Sequence, residues 1–154
     1  MNYHTITDPD RNNGDGLRVV LWLSGCSHKC RGCQNPQTWN ANSGIPFDEP
    51  AKEELFRELD KDYISGLTLT GGNPLIKGNL DDVLDLVTDI NRRYNASQDI
   101  AQNERGKDII RQCHVLVDGQ YIESKRDLTR KWCGSSNQNV IDIQKTLGKR
   151  NSIN

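Results

Sequence analysis

The apolar residues of this chain fall into short runs that are separated by turn-forming stretches. Residues 17–23 form a nearly continuous apolar run with glycine in front of it, the pattern of a buried strand in a parallel sheet. Residues 64–70 and 113–117 show similar runs and predict two further strands. Residues 1–16 are polar and rich in turn formers, and no strand is predicted there.

Two predicted helices alternate with these strands. Between Asp48 and Asp60, an apolar stripe is formed by Leu55, Phe56 and Leu59. Residues 79–94 carry a wider apolar face, with acidic residues in the first turn, where they suit the helix dipole. Strands that alternate with helices predict an α/β fold with a mostly parallel sheet.

The rest of the chain is weakly patterned. Residues 95–108 are polar and predict a loop with at most a helical turn. A short apolar alternation follows near the C-terminus, at Val140, Ile141 and Ile143. The chain of 154 residues shows no linker, repeat or low-complexity segment, and we therefore expect a single domain over 1–154.

The charge balance narrows the possible partners. Lys plus Arg total 20 and Asp plus Glu total 21, so the net charge of −1 argues against a nucleic-acid protein held by bulk electrostatics. No apolar run reaches the ~18 residues of a membrane span, and the start does not resemble a signal peptide. We expect no nucleic acid, no membrane and a cytoplasmic location.

Three of the five cysteines lie within eight positions, Cys26, Cys30 and Cys33, a C-x3-C-x2-C pattern. An odd, clustered set is a poor disulfide framework and favours a soft metal centre. An iron–sulfur cluster with three ligands would keep one iron open, whereas a structural zinc site would need a fourth ligand. His28 or a distant cysteine could supply that ligand, and the zinc alternative stays open.

The remaining two cysteines have simpler interpretations. Cys113 borders a predicted strand and is interpreted as a small core residue, whereas Cys133 lies in a polar segment and is interpreted as a free thiol.

A second candidate feature is the glycine pair Gly71-Gly72 at the end of the second predicted strand. Glycines there let the backbone approach a ligand without interference from a Cβ, although an ordinary tight turn is the more common reason for such a pair. The cysteine loop and the glycine turn both follow predicted strands. We therefore expect them at the same edge of a parallel sheet, where ligands gather.

Taken together, these motifs resemble the radical S-adenosylmethionine (SAM) superfamily, and within it the activating proteins of anaerobic ribonucleoside-triphosphate reductase. The resemblance runs along most of the chain. Its most specific segment is Gly134-Ser135-Ser136-Asn137-Gln138. The other matching segments are Asn13-Gly14-x-Gly16-x-Arg18, Ser24-Gly25-Cys26-x-His28-x-Cys30-x-Gly32-Cys33, Thr38-Trp39-Asn40, Gly66–Gly72 and Val115–Gly119.

The resemblance implies a fold and a site. The fold would be a short, incomplete (β/α) half-barrel of radical SAM type. Cys26, Cys30 and Cys33 would ligate a 4Fe–4S cluster with one open iron, which SAM would chelate. The cofactor-binding residues implied are Gly32, Cys33, Gln34, Gly71, Gly72 and Asn73.

The resemblance also implies a reaction. The reduced cluster would cleave SAM to methionine and a 5′-deoxyadenosyl radical. This radical would remove a hydrogen atom from a glycine in the large subunit of anaerobic ribonucleoside-triphosphate reductase. A flavodoxin-type protein is the implied electron donor. Alternatives are another radical SAM activase, of the pyruvate formate-lyase type, and a zinc-binding or catalytically impaired relative.

Three positions and one segment depart from the family pattern. Asn73 stands where an acidic residue is usual, Gln34 where a tyrosine is usual, and Cys133 where an arginine is usual. Between Ile100 and His114 the usual aromatic strand is replaced by a polar stretch. We hypothesise that the fold survives with one strand fewer or that a neighbouring chain covers the gap. An intact strand over 96–104 would contradict this.

Overall fold

The structure, a computed structural model, describes residues 1–94 and 105–150. The chain divides into two compact units. The N-terminal unit consists of Met1–Lys29 and Cys33–Asn79. The C-terminal unit consists of Cys30–Gly32 and the described residues from Leu80 onward. The single domain over 1–154 stays a prediction.

A four-stranded sheet forms the N-terminal unit. Its strands are β1 (Asn2–Asp10), β2 (Leu17–Leu23), β3 (Ile45–Pro46) and β4 (Ile64–Gly71), in the order β3-β1-β2-β4. Strand β2 pairs parallel with β4, whereas β1 pairs antiparallel with both β2 and β3. Strands β2 and β4 confirm the predicted runs at 17–23 and 64–70.

Strand β1 was not expected from its polar sequence. Only Tyr3 is buried along it, and its ring packs edge-on against Phe47 with centroids 5.5 Å apart. The strand forms because it pairs with β2 from Tyr3 to Asp10, with two register irregularities, and the Trp22 indole N–H donates to Thr7 Oγ1 at 2.9 Å. Pairing with a buried neighbour outweighs the weak local preference of these residues.

The core of this unit lies on β2. Val19, Val20, Leu21 and Leu23 are fully buried, and helix α1 (Glu49–Leu59) adds Leu55. Helix α1 begins where the Asp48 carboxylate accepts a hydrogen bond from the Ala51 N–H at 3.1 Å, an N-cap contact. The helix predicted between Asp48 and Asp60 is therefore confirmed.

Arg18, near the start of β2, joins this strand to β4 by side-chain hydrogen bonds. Its guanidinium donates to the Leu67 carbonyl and to Thr68 Oγ1, both at 2.6 Å. Gly14 has a φ of +141°, and a Cβ there would overlap the Arg18 side chain. Gly14 thus leaves room for the Arg18 side chain, which joins β2 to β4.

The described part of the C-terminal unit contains three α-helices, a short 3-10 helix (Glu123–Lys125) and a two-stranded ribbon. The helices are α2 (Leu80–Tyr94), α3 (Arg105–Gln112) and α4 (Ile143–Arg150). Strands β5 (Val115–Asp118) and β6 (Asn139–Asp142) pair antiparallel. Helix α2 buries Val83, Leu86 and Val87, and its Asn91 amide donates to Gln112 Oε1 of α3 at 2.8 Å.

Several expectations for this unit need correction. The helix predicted at 79–94 and the third strand are present, but β5 belongs to a separate ribbon and exposes Val115 and Val117. Within the loop predicted at 95–108, residues 105–108 form a helical turn, as the prediction allowed, but this turn continues to Gln112 as α3. Residues 95–104, where the missing-strand hypothesis applies, lie outside the described residues.

The described strands make the fold mixed α/β. Only the β2–β4 pairing is parallel among the strands of residues 1–94 and 105–150, so the expectation of a mostly parallel sheet is wrong for this part of the chain. The reason is the unexpected β1, which adds antiparallel pairs. None of the helices described is long and apolar enough to cross a membrane.

Candidate metal centre

The cysteine loop starts directly after β2, at the buried residue Ser24. The Ser24 hydroxyl donates to the Ser43 carbonyl at 2.8 Å and its N–H donates to the Asn2 carbonyl at 2.9 Å. Its carbonyl accepts from the buried Asn79 amide at 2.8 Å. Every polar group of Ser24 is therefore satisfied, and the start of the loop is fixed from three sides.

The next two residues are held by backbone hydrogen bonds on both sides. Gly25 N–H donates to the Thr38 carbonyl at 2.7 Å, and Cys26 N–H donates to the Trp39 carbonyl at 3.0 Å. The Gly25 carbonyl accepts from Asn73 N–H at 2.7 Å. The structure thus joins the start of the cysteine loop to the glycine turn, and confirms that both lie at the same edge of the sheet.

The three clustered cysteines are free thiols of intermediate exposure. Cys33 Sγ accepts a hydrogen bond from the Asn35 N–H at 3.4 Å, the type of contact that stabilises a thiolate. The chain turns through left-handed conformations at Lys29 and Gly32, with φ of 45° and 76°. The segment between the first and third cysteines is therefore strongly curved.

The thiols are not gathered into a ready-made metal site. Among residues 1–94 and 105–150, no three His, Cys, Asp or Glu side chains are arranged to hold a metal ion. The donor set itself fits an iron–sulfur cluster, because it consists of three free soft thiols on one curved loop.

The glycine pair has a structural role in the chain itself. A Cβ at Gly72 would overlap the backbone carbonyls of Gly25 and Leu23, and Gly72 N–H donates to the Leu23 carbonyl at 2.7 Å. Gly71 has a φ of +91°, which favours glycine. The close approach that glycine permits here is therefore to the end of β2. Contact of Gly71 and Gly72 with SAM stays a prediction.

Asn73 and Gln34 differ in how firmly they are held. Asn73 Oδ1 accepts from the Leu75 N–H at 2.9 Å, so the amide already closes its own turn. Gln34 is exposed. Both remain predicted SAM contacts.

A carboxylate that the sequence analysis missed lies at the cysteine loop. A Cβ at Gly32 would overlap the carboxylate of Glu123, so that side chain packs directly on the Gly32 backbone. Glu123 Oε2 accepts a hydrogen bond from the Tyr121 hydroxyl at 2.6 Å, and this bond raises the pKa of Tyr121. No local pattern could have predicted the contact between Glu123 and Gly32, because these two residues are about ninety positions apart in sequence.

The turn at 134–138 fixes the segment that carries Glu123. Gln138 Oε1 accepts from the backbone N–H groups of Gly134 at 2.9 Å and Ser135 at 3.1 Å, and its Nε2 donates to the Gly119 carbonyl at 3.0 Å. Fully buried Ser135 accepts at Oγ from the Ile122 N–H at 3.2 Å. Hydrogen bonds from this turn therefore hold residues 119–122 in place.

The other two cysteines differ from expectation in burial. Cys133 is a free thiol, as predicted, but is buried and donates to the Lys131 carbonyl at 3.2 Å. Cys113 is only partly buried; its thiol donates to the Ile109 carbonyl at 3.3 Å, and burial raises its pKa. Within the described part of the chain, neither belongs to a group of side chains that could hold a metal ion.

Comparison with known proteins places the chain in a class. A family described as a 4Fe-4S single cluster domain matches residues 12–141. No solved structure matches the chain.

Curated relatives are more specific. The chain is 39% identical over 150 residues to a phage T4 protein, with 91% of this chain and 93% of the relative covered. It is 37% identical over 155 residues to an Escherichia coli K12 protein (94% and 100% covered) and 34% identical over 151 residues to one from Pasteurella multocida (90% and 95%). All three are named anaerobic ribonucleoside-triphosphate reductase-activating protein.

The chain belongs to the family of anaerobic ribonucleoside-triphosphate reductase-activating proteins, which confirms the resemblance seen in the sequence.

Proposed function

We propose that this chain is a radical SAM enzyme that activates anaerobic ribonucleoside-triphosphate reductase by creating a glycyl radical on its large subunit. The observation that carries the proposal is the C-x3-C-x2-C loop, with three free thiols, inside a match to a 4Fe-4S single cluster domain. The names of the relatives support the reductase as partner, rather than pyruvate formate-lyase.

In this proposal Cys26, Cys30 and Cys33 would hold a 4Fe–4S cluster. When bound, such a cluster would supply the electron for the reductive cleavage of SAM, and hence the removal of a hydrogen atom from a glycine of the reductase. A flavodoxin-type protein, implied by the resemblance alone, is the proposed electron donor.

The chain's own residues bind and orient these groups. Backbone hydrogen bonds hold the N–H and carbonyl of Gly25 and the N–H of Cys26, which gives the first thiolate a defined starting point. The Asn35 N–H donates to the third thiol. Gly32, Cys33, Gln34, Gly71, Gly72 and Asn73 are the proposed SAM contacts.

A buried donor beside the loop also supports a bound group. The Trp39 indole N–H is buried and has no hydrogen-bond partner among the described residues. Leaving such a donor unpaired costs about 1–3 kcal/mol, a cost that a ligand acceptor would remove. The same residue's carbonyl accepts from Cys26 N–H.

The half-barrel of radical SAM type is part of the same proposal. The parallel β2–β4 pair supports it, because the loops after both strands meet at one edge. In this arrangement the cluster and SAM would lie beyond the carboxyl ends of the strands.

Anaerobic reconstitution tests the proposal. The protein is treated with iron and sulfide, bound metal and sulfide are counted, and 5′-deoxyadenosine is quantified after addition of SAM and dithionite. Cys30→Ala should abolish product formation, whereas the matched control Cys113→Ala, outside the loop, should retain it.

The outcomes separate the alternatives. Bound zinc without sulfide would favour a zinc-binding relative, and a complete cluster without product would indicate a catalytically impaired one. Product without a glycyl radical on the reductase large subunit, examined by electron paramagnetic resonance, would contradict the assigned partner and favour another activase.

A further inference from the structure

The cysteine loop contains basic side chains but no acidic ones. It carries His28, Lys29 and Arg31 between its first and last cysteines. No acidic residue occurs anywhere between Asp15 and Asp48. Any carboxylate close to this loop must therefore come from a distant part of the chain.

Glu123 is such a carboxylate. It packs on the backbone of Gly32, which has a φ of +76° and lies between two of the proposed ligands, Cys30 and Cys33. Its Oε2 is held by the Tyr121 hydroxyl at 2.6 Å. The carboxylate is thus oriented at one oxygen while it contacts the loop.

The position of Glu123 is set by the tail of the chain. The preceding residue, Ile122, donates its N–H to Ser135 Oγ, and the Lys125 carbonyl accepts from the Ser136 N–H at 2.8 Å. Gln138 closes the 134–138 turn on the carbonyl of Gly119. Both ends of the short segment around Glu123 are therefore tied down by hydrogen bonds.

We propose that the Glu123 carboxylate makes the electrostatic potential at the cysteine loop more negative and thereby lowers the reduction potential of the cluster held there. The inference rests on the proposed function. Each reduction adds one electron from the reductant, and hence one negative charge, to a site beside a fixed negative carboxylate. Like charges repel, so the carboxylate disfavours the reduced state.

The size of this effect is limited by solvent. Glu123 is exposed, so its field is partly screened by water and by salt. We expect Glu123→Gln to increase the ratio of reduced to oxidised cluster at a fixed potential by up to about tenfold, which equals about 59 mV for a one-electron couple. The difference from the wild type should shrink as ionic strength rises.

The test is a redox titration of the reconstituted holoprotein, followed by electron paramagnetic resonance. Glu123→Gln should raise the midpoint potential and Glu123→Lys should raise it further, whereas Glu123→Asp should stay near the wild-type value. Tyr121→Phe, which removes the bond that orients the carboxylate, should give a smaller rise. Glu53→Gln, an exposed carboxylate on α1, is the matched control and should leave the potential unchanged.

The results distinguish this inference from the proposed function. A complete cluster with the same midpoint potential in wild type, Glu123→Gln and Glu123→Lys would overturn the role of Glu123 alone. Failure of the wild type to form any cluster would overturn both. If Glu123→Gln does not hold its cluster, the Tyr121→Phe and Glu123→Asp proteins decide the matter, because a purely structural role predicts no ordered shift in potential.

Discussion

In the N-terminal unit the central strand is completely buried, whereas in the C-terminal unit the ribbon strands expose much of their apolar surface. Val19, Val20 and Leu21 of β2 are 0% exposed. Val117 of β5 and Val140 of β6, which lie opposite each other, are 39% and 37% exposed. Burial of apolar side chains therefore stabilises the sheet far more than it stabilises the ribbon.

The ribbon and the segment beside it rely instead on polar contacts. Around the 134–138 turn, Gln138 and Ser135 make hydrogen bonds to at least four backbone groups. The comparison shows two ways of fixing a loop. The start of the cysteine loop directly follows the buried strand β2. The segment 119–123 is held instead by hydrogen bonds from the side chains of Gln138 and Ser135.

The largest expected difference between the units comes from truncating a buried side chain. Leu21→Ala leaves a cavity in a fully buried site and should reduce the free energy of unfolding by about 2–5 kcal/mol. Val117→Ala, in the exposed ribbon, should cost less than about 1 kcal/mol. Urea denaturation of both variants measures this, and equal losses would contradict the comparison.

A smaller effect is expected at the turn that follows β4. Gly72→Ala places a Cβ against two backbone carbonyls and should destabilise the protein by about 1–3 kcal/mol. Gly78→Ala is the matched control, because nothing lies within 4 Å of its added Cβ. Thermal unfolding should separate the two variants; an unchanged melting temperature for Gly72→Ala would show that the β2 end can move away.

In the C-terminal unit the corresponding change is Gln138→Ala. It leaves the N–H groups of Gly134 and Ser135 without their acceptor and should cost about 1–3 kcal/mol locally. Gln138→Glu retains that acceptor and should be milder. Hydrogen exchange at the Gly134, Ser135 and Ile122 amides should accelerate in Gln138→Ala. No acceleration would show that the hydrogen bonds of Gln138 contribute little to the stability of the 134–138 turn.

The smallest expected effect concerns pH. Burial raises the pKa of Cys113 in the folded protein, so the unfolded thiol ionises first. The stability contributed by this group is complete below the unfolded pKa, about 8.5, and is lost as pH rises through the folded value. Unfolding measured from pH 7 upward should therefore show a steeper loss in the wild type than in Cys113→Ala. Parallel curves would contradict the prediction.

The accuracy of the sequence prediction does not follow the division into two units. The strands at 17–23 and 64–70 and the helices near 49–59 and 80–94 were predictable, because apolar periodicity and capping residues act locally. Strand β1 was missed, since its polar residues form a strand only by pairing with β2. The prediction for 95–108 allowed a helical turn, but not its continuation to Gln112 as helix α3.

For the candidate site, the sequence pointed to the cysteine loop but not to its surroundings. The spacing of Cys26, Cys30 and Cys33 left a zinc site open, and the motifs along most of the chain carried the resemblance to the family, which the relatives confirm. Ligation of a cluster by these three cysteines stays a prediction. It could not show that Gly72 faces the backbone of Gly25, or that the buried Trp39 N–H lacks a partner among the described residues. These facts depend on how separate segments meet.

The sequence by itself predicts the chemistry of the site, because thiol donors and their spacing are local properties of the chain. It also determined the family, through motifs spread over most of its length. Only the tertiary structure decided which polar groups surround the loop. Glu123 reaches Gly32 because hydrogen bonds from Tyr121 and the 134–138 turn place it there, and such long-range contacts have no periodic signature in the sequence.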